Sequence, residues 1–558
     1  MNFKPLPIGV DNFEELINKN YYYIDKTLLI KDLLDNKGKV NLFTRPRRFG
    51  KTLNISMLQY FFEDRNKDNS YLFDGLKIME QGPEYTQYLG MYPVINLSLK
   101  SAKQPNLNLA ISCLKNEIVD EFRRHEYILE SPKLKNEKEE YEKIVRKEGG
   151  NDLYVTSIKY LCKCLEKYYD KKVIILIDEY DVPLENSYFR GFYTEMIDFI
   201  RSLFESALKT NDSLEFAVIT GCLRISKESI FTGLNNLNII SILNENYSEY
   251  FGFVEEEVKG LLKQYNLEEL FDKIKEWYDG YIFGETDVYN PWSLIKYIFD
   301  LIPNKKAFPS SYWANTSSNS IVRSLIEKAD LTTREEIEKL IAGETIEKPI
   351  HEDITYDEIY KTTDNLWNFM FFTGYLKKVD ERMDSDDNIL LTLKIPNKEV
   401  KYIFKNKILE WFNEKIKVKD LSVLYNAILE GDTETFELEL VTILEETISF
   451  YDSYESFYHG FLVGTLMNID RYIIKSNREM GNGRSDILIR YPNRRGKAVI
   501  IEIKVAKEIS KLEEKCDEAL EQIETKRYDA PLIQDGYKNV IKYGIAFYKK
   551  DCMIKIKD

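Results

Sequence analysis

The sequence predicts a multidomain α/β protein: an N-terminal parallel sheet with a helical lid, a winged-helix-like module, and a small C-terminal α/β domain. Three observations lead there. The chain has 558 residues, too many for one hydrophobic core and enough for three or four domains. Almost wholly apolar runs such as Val173-Ile174-Ile175-Leu176-Ile177 alternate with helical patterns over residues 1–250, as strands buried on both faces of a parallel sheet do. Near the other end, Asp486-Ile487-Leu488-Ile489 and Val499-Ile500-Ile501-Glu502-Ile503-Lys504-Val505 are strand-like runs joined by a turn containing Pro492, Asn493 and Gly496.

Within residues 1–250, 40–44 is a short strand and 52–63 a helix with Leu53, Ile55, Met57, Leu58, Phe61 and Phe62 on its apolar positions. Further strands are expected at 92–99, 172–177 and 214–220, and the charged stretch 129–151 is expected as an exposed helical insertion. Over 251–345 the pattern turns helical, at 254–265, 267–278, 292–301 and 320–328, which forms the lid. Residues 346–432 read as a helix (366–375), a strand (376–380), the polar tip Asp384-Ser385-Asp386-Asp387, a strand (390–395) and a helix (398–412). Helix followed by a two-stranded wing is the winged-helix pattern, with Trp367 and the aromatic run 369–372 in its core rather than in a base-stacking platform. The last unit, 433–558, holds a helix at 457–467, the two acid-bearing strands, a helix near 508–527 and a strand at 542–548.

Composition bounds the function. With 44% hydrophobic and 31% charged residues the chain is a folding one, and no apolar run reaches the length of a membrane span. The first residues carry no apolar signal region, six cysteines are scattered, and only three histidines exist. No membrane, free thiols and a cytoplasmic location are therefore expected. A net charge of −15 argues against non-specific coating of nucleic acid. Charge is uneven, however: Arg45, Arg47, Arg48 and Lys51 form one basic cluster. Arg484, Arg490, Arg494, Arg495, Lys497 and Lys504 form another around the C-terminal acids. A basic collar fits a polyanionic substrate, and a solvated turn accounts for some of these arginines equally well.

Thr44-Arg45-Pro46-Arg47-Arg48-Phe49-Gly50-Lys51-Thr52 follows a strand and opens a helix, the context of a phosphate-binding loop. Gly50 allows close backbone approach, Lys51 would reach the β- and γ-phosphates, and the Thr52 hydroxyl would ligate Mg²⁺. Arg45 stands where the usual pattern has glycine, and Pro46 removes one backbone donor. Arg47 and Arg48 add charge that can compensate. The whole segment from Arg45 to Thr52, Phe49 included, is the expected nucleotide contact. The partner is the strand ending in Asp178-Glu179: Asp178 would hold the Mg²⁺ and Glu179 would polarise the attacking water. Asp181 reads as loop chemistry or a helix cap. The tip Thr220-Gly221 can sense a γ-phosphate, and Arg224 is either an arginine finger or sensor or an ordinary surface residue.

In the C-terminal runs, strand alternation puts Glu502 and Lys504 on one face with the isoleucines behind. Asp486 comes from the paired strand. Two carboxylates and an ammonium on one face are what a Mg²⁺-dependent phosphodiesterase needs: the acids hold a hard cation, and the lysine orients a water or steadies charge on the phosphate. The spacing alone is common in lysine- and glutamate-rich sequence. A domain that keeps this fold and binds without cutting is the competing reading.

The run from Leu6-Pro7-Ile8-Gly9 through Tyr23-Ile24-Asp25-Lys26-Thr27 to the arginine-rich loop resembles a bacterial AAA-ATPase-like family, as do Trp277-Tyr278-Asp279-Gly280-Tyr281 and Tyr289-Asn290-Pro291-Trp292. Members of that family commonly carry a C-terminal nuclease domain of the PD-(D/E)xK superfamily. The resemblance covers residues 5–300 and implies a P-loop ASCE-type ATPase using ATP and Mg²⁺ despite the missing glycine, because the arginine-rich loop is shared by the family. It leaves the roles of Gly9 and 23–27 open. For the C-terminal unit it implies a restriction-endonuclease-like α/β domain with Asp486 as first metal ligand, then Glu502-x-Lys504, with the Ile503 carbonyl completing the metal shell. Glu455, on the preceding helix, matches the place of a further acid, and Gln522 that of a recurrent glutamine on the following helix. Ser485 stands where the superfamily's name puts proline. His459 on its apolar helix fits packing better than chemistry. Together these imply an ATP-hydrolysing module that drives or licenses a Mg²⁺-dependent nuclease, acting on DNA before RNA, in defence or mobile-element biology. The alternative is a nucleotide-switched signalling or scaffold protein that binds nucleic acid without cleaving it. An arginine finger supplied in trans would require a homo-oligomer.

Overall fold

The computed structural model describes residues 3–64, 68–224, 230–231, 236–313, 331–352, 356–359, 361–385, 388–407, 420–447, 455–466, 469, 471–480, 483–493 and 496–557. The chain separates into two compact units, Met1–Ile321 with Glu347–Ile403, and Val322–Ile346 with Phe404–Asp558. The range 346–432 is thus divided between them near residue 403. The expected helix at 320–328, the end of the helix at 398–412, Asp386, Asp387, Arg494 and Arg495 lie outside the described residues.

In the first unit, strands β1 (Val40–Thr44), β2 (Val94–Ser98), β3 (Val173–Asp178), β4 (Leu214–Gly221) and β5 (Leu237–Ile240) form one sheet in the order β2-β3-β4-β1-β5. Every pairing is parallel. Every residue of β1 and of β3 is buried, as their unbroken apolar runs require when helices cover both faces. Since β4 lies between β1 and β3, the loops leaving those two strands meet at one sheet edge, the carboxyl edge where open α/β sheets place ligands.

Helices α1 (Lys51–Phe62), α2 (Leu107–Arg124), α3 (Lys138–Val145), α4 (Asn151–Tyr169), α5 (Val182–Arg190) and α6 (Tyr193–Phe204) connect these strands. The charged stretch 129–151 is largely exposed and carries helix α3, as expected, and it is anchored to the domain. Leu134, Tyr141 and Ile144 are buried, and the Tyr141 hydroxyl donates to Phe122 O at 2.6 Å. Its charges sit on the outer face of α3, and the three apolar residues among them anchor it.

The region after 250 is less helical than its pattern suggests. Helices α7 (Glu255–Tyr265), α8 (Phe271–Tyr278) and α9 (Pro291–Leu301) pack around Leu261, Tyr265, Tyr278, Leu294, Tyr297 and Ile298. Between α8 and α9 the hairpin β6 (Tyr281–Phe283) and β7 (Thr286–Val288) interrupts them. Gly284 at its turn has φ 57, a left-handed value that glycine adopts freely. Strands β8 (Ile346–Pro349), β9 (Lys377–Met383) and β10 (Ile389–Lys394) form a sheet in the order β8-β10-β9. Its partner helix α10 (Thr363–Phe372) buries Trp367 and residues 369–372. The hairpin follows the helix as expected; the third strand, β8, was not anticipated.

Glu399 is fully buried in this unit, and its Oε1 accepts from Trp313 N at 2.9 Å and from Ser293 Oγ at 3.0 Å. Burial pushes its carboxyl up from 4.5 to about 7. The folded state therefore keeps a proton that the unfolded chain gives up near 4.5, so stability falls as pH rises through that window. Glu399→Gln is expected to raise the melting midpoint at pH 8, by about 2–3 kcal/mol of stability, and to change it little at pH 5. An equal effect at both pH values in a thermal scan would exclude titration as its cause.

The second unit has strands β11 (Ile473–Met480), β12 (Gly483–Arg490), β13 (Lys497–Val505), β14 (Asn539–Tyr548) and β15 (Asp551–Lys557), paired in that order. β13 and β14 are parallel and the other pairings antiparallel. Helices α11 (Ser422–Glu430), α12 (Thr433–Thr447) and α13 (Glu455–Leu466) cover one face, where Ile487, Ile489, Val499, Ile501 and Ile503 point. Helix α14 (Leu512–Lys526) covers the other, packing on Leu488, Ala498 and Ile500. The period of two along β12 and β13 therefore assigns Asp486, Glu502 and Lys504 to the α14 face. Among the described residues no helix is long and apolar enough to cross a membrane.

Candidate functional site

At the carboxyl edge of the first sheet the chain turns from Thr44 into α1. Gly50 caps that helix with φ 80, and a Cβ there would meet nothing within 4 Å. The backbone thus needs glycine for its conformation and leaves the cradle open in front. Lys51 is 7% exposed; its ammonium donates to Arg45 O at 2.9 Å and Pro46 O at 2.8 Å, and lies 3.7 Å from Cys222 Sγ. Thr52 Oγ1 donates to Asp178 Oδ2 at 2.7 Å, and the Thr220 hydroxyl donates to the other oxygen of Asp178. A hydroxyl and a carboxylate brought together at the ends of β1 and β3 are hard oxygen donors that suit Mg²⁺. Glu179 is the first residue beyond β3, half-buried, with φ 53. That left-handed value turns it off the strand axis.

The other loop residues face protein. Arg45 is fully buried: its guanidinium donates to Thr44 O and Ile240 O, each at 2.9 Å, and lies 5.2 and 5.1 Å from the Phe251 and Phe283 rings. Burial lowers its pKa to about 9. The residue in the place of glycine is thus a core strut, and its side chain is committed to the sheet edge. Pro46 lies against Gly374, where a Cβ would come within 3.1 Å of it. Phe49 is fully buried against Tyr281 and Phe283, at 5.0 and 5.3 Å. Arg47 pairs with Glu185 on α5, and the Arg48 guanidinium sits 4.4 Å from the Trp292 ring. Arg224 pairs with Glu352 at 2.8 Å. Asp181 makes no cap bond at α5; it accepts instead from Cys222 N at 2.7 Å and Leu223 N at 3.2 Å, and burial pushes its carboxyl up to about 6. It fixes the turn that brings Cys222 against Lys51.

In the second unit the β12–β13 ladder pairs Ile487 with Ile501. One step further, the carboxylates take over from the backbone carbonyls. Ile503 N donates to Asp486 Oδ2 at 2.8 Å, and Asp486 N approaches Glu502 Oε2 at 3.3 Å. Gln522 on α14 donates to Glu502 Oε1 and lies 3.3 Å from the Tyr528 hydroxyl. Lys504 Nζ is 3.6 Å from Glu502 Oε1. Asp486, Glu502, Lys504 and Gln522 thus converge at one point of the sheet. His459 Nε2, on α13 behind the sheet, lies 3.0 Å from both Asp486 O and Ser476 Oγ. Glu455 is the first residue of α13, and its side chain lies outside the described residues.

Among the described residues, no group of three or more His, Cys, Asp and Glu is arranged to hold a metal. The donors at this point are the Asp486 and Glu502 carboxylates, with the Ile503 carbonyl between Glu502 and Lys504. They are oxygen ligands of the kind hard cations take.

Residues 7–231 match the model of a family described as predicted AAA-ATPase, and residues 453–557 match that of the PD-(D/E)XK nuclease superfamily. The chain carries an AAA-ATPase-like domain and a PD-(D/E)XK nuclease-superfamily domain. It is also similar to an uncharacterized protein of the vnfD 5' region of Azotobacter chroococcum mcd 1. The two are 26% identical over 454 residues, 77% of this chain and 75% of that protein.

Around the AAA-ATPase-like loop, the contacts of Trp292, Trp313 and Glu185 were not read from the sequence. Nor was Tyr528 beside the nuclease-superfamily acids. The Tyr289-Asn290-Pro291-Trp292 motif and the Tyr528 that follows Gln522 were visible, but spacing alone does not say which distant loop a ring will touch.

Proposed function

We propose that the N-terminal domain binds and hydrolyses ATP with Mg²⁺, and that its nucleotide state controls a Mg²⁺-dependent phosphodiesterase in the C-terminal domain that cuts DNA in preference to RNA. The observation that carries the second half is the pair of hydrogen bonds across β12 and β13 in which Asp486 N donates to the Glu502 carboxylate and Ile503 N donates to the Asp486 carboxylate. The backbone thus fixes the two carboxylates side by side at the sheet edge, the placement that a divalent cation bound between them requires. Asp486, Glu502 and the Ile503 carbonyl would hold it. A bound Mg²⁺ supplies Lewis-acid stabilisation of the phosphate and a more acidic water. The Lys504 ammonium, beside Glu502, would steady the growing negative charge on the phosphate, and Gln522 would hold the orientation of Glu502. In the ATPase domain, Lys51 would exchange its loop carbonyls for phosphate oxygens. Thr52 and Asp178 would hold the nucleotide's Mg²⁺, and Glu179 would orient water.

The second reading, nucleic-acid binding without cleavage, draws on a different observation. Both Glu502 oxygens are already engaged, by Gln522 and Lys504 on one side and by Asp486 N on the other, so a cation must displace neighbours to enter. The test is cleavage of plasmid and single-stranded DNA in Mg²⁺, with and without ATP, by the parent and by Lys504→Ala. Cleavage by the parent, reduced about 10²-fold or more in the variant, is the expected result. Equal cutting by both removes Lys504 from the chemistry, and no cutting by either leaves the binding reading.

A further inference from the structure

The two motifs that the nucleotide-binding reading leaves unused, Trp277-Tyr278-Asp279-Gly280-Tyr281 and Tyr289-Asn290-Pro291-Trp292, meet the loop on one side and a single helix on the other. On the loop side, Tyr281 packs on Phe49 at 5.0 Å, and Trp292 carries the Arg48 guanidinium at 4.4 Å. The indole N–H of Trp313 reaches Arg47 O at 3.4 Å. On the other side stands the start of a helix at residues 398–407. Asn397 caps it, its Oδ1 accepting from Val400 N at 3.0 Å, while its amide donates to Asp279 O at 2.7 Å. Gly280, at φ 92, would drive a Cβ to 2.3 Å from Pro396 O, so the motif's glycine is what permits this approach. Two residues on, the buried Glu399 accepts from Ser293, the residue after Trp292, and from the backbone of Trp313. The chain leaves the first unit through this helix, at Ile403.

The Arg47–Arg48 tip and the exit helix are therefore joined twice through one buried polar cluster, by Trp313 and by the Trp292-Ser293 pair. Of the tip's two arginines, Arg47 is tied by an ion pair to Glu185. Arg48 holds a φ of 72 and faces an aromatic ring. A ring and a triphosphate compete for the same cation, and the triphosphate is the stronger partner.

We propose that Trp292, Trp313 and Glu399 are positioning residues that hold the arginine tip against the ring of Trp292, and that a triphosphate drawing Arg48 off Trp292 loosens the start of the exit helix. This rests on the reading of the loop as an ATP site. It gives that site an outlet: a nucleotide-dependent change in the segment that runs on into the nuclease-superfamily unit.

The experiment is amide hydrogen exchange on the full chain, with and without a non-hydrolysable ATP analogue and Mg²⁺. It compares the parent, Trp292→Ala, Trp292→Phe and Ser293→Ala, with nucleotide affinity measured alongside. In the parent the analogue is expected to speed exchange over 398–407 by at least about five-fold, the lower end of ordinary coupling between sites. In Trp292→Ala the helix should exchange fast already and not respond, while affinity is kept or rises by up to about the same five-fold, because the triphosphate no longer competes with the ring for Arg48. Trp292→Phe, which restores a ring face, should recover the response. Should Trp292→Ala fail to fold, Ser293→Ala carries the test, because it removes only one hydrogen bond to Glu399. Tight binding with unchanged exchange in the parent, or a full response in both Trp292→Ala and Ser293→Ala, overturns the inference and leaves the ATP site standing. Failure of the parent to bind the analogue overturns both.

Discussion

Glu502→Gln should lower Mg²⁺-dependent DNA cleavage by about 10³-fold, several kcal/mol of transition-state stabilisation, while the melting midpoint moves little. The substitution keeps the side chain's volume and an acceptor for Gln522. It removes the negative charge on which both the cation and the Lys504 ammonium depend. Because Glu502 is 1% exposed, water cannot take over that role. A control on α14, Glu524→Gln, removes a carboxylate that pairs with Lys542 at 2.8 Å and should cleave as the parent does. If Glu502→Gln cut DNA at the parental rate, these carboxylates would not be the catalytic centre. A large drop in the midpoint would instead mark Glu502 as a structural acid that supports α14 through Gln522. The two outcomes separate because one is read from product and the other from unfolding.

How much of this was legible in the sequence follows the range of the interactions involved. The strand β3 and its terminal Asp178 were readable because five consecutive apolar residues followed by an acid fit a buried strand of a parallel sheet. The common face of Asp486, Glu502 and Lys504 followed from the two-residue period of a strand, and α14 lies over that face. The hairpin at 281–288 was not readable, because two three-residue strands carry too little period to stand out between helices. The charged stretch 129–151 was readable as exposed and helical, but its charge hid the three buried side chains that anchor it.

Arg45 shows the limit most clearly. In the sequence it is one of four cations in a phosphate-binding pattern, and charge alone groups it with Arg47, Arg48 and Lys51. Its burial between Phe251 and Phe283 depends on residues about two hundred positions away, which no local window contains. Desolvation disfavours its charge, and the two carbonyl bonds offset that only in part. The glycine of the usual loop is thus replaced by a side chain that leaves the cradle altogether, so the backbone in front of Lys51 stays as open as glycine would leave it.

That openness bears on the second large effect, Lys51→Ala, which should weaken nucleotide binding by about 10²-fold or more. The Lys51 ammonium rests on Arg45 O and Pro46 O, the two carbonyls where the loop departs from the usual pattern. Binding exchanges these neutral acceptors for phosphate oxygens, and a hydrogen bond to a charged group is worth about 1.5–3 kcal/mol. Losing one or two of them accounts for the expected factor. The two carbonyls left behind are buried, so the variant should also lose about 1–3 kcal/mol of stability, and affinity is read well below its melting midpoint. Lys51→Arg should not rescue affinity, because a planar fork cannot occupy the place of a point charge between two carbonyls 2.8–2.9 Å away. Titration with a fluorescent ATP analogue decides it. An unchanged dissociation constant for Lys51→Ala would mean that the arginine tip, not the lysine, carries the phosphate. Arg48→Ala would then show the larger loss.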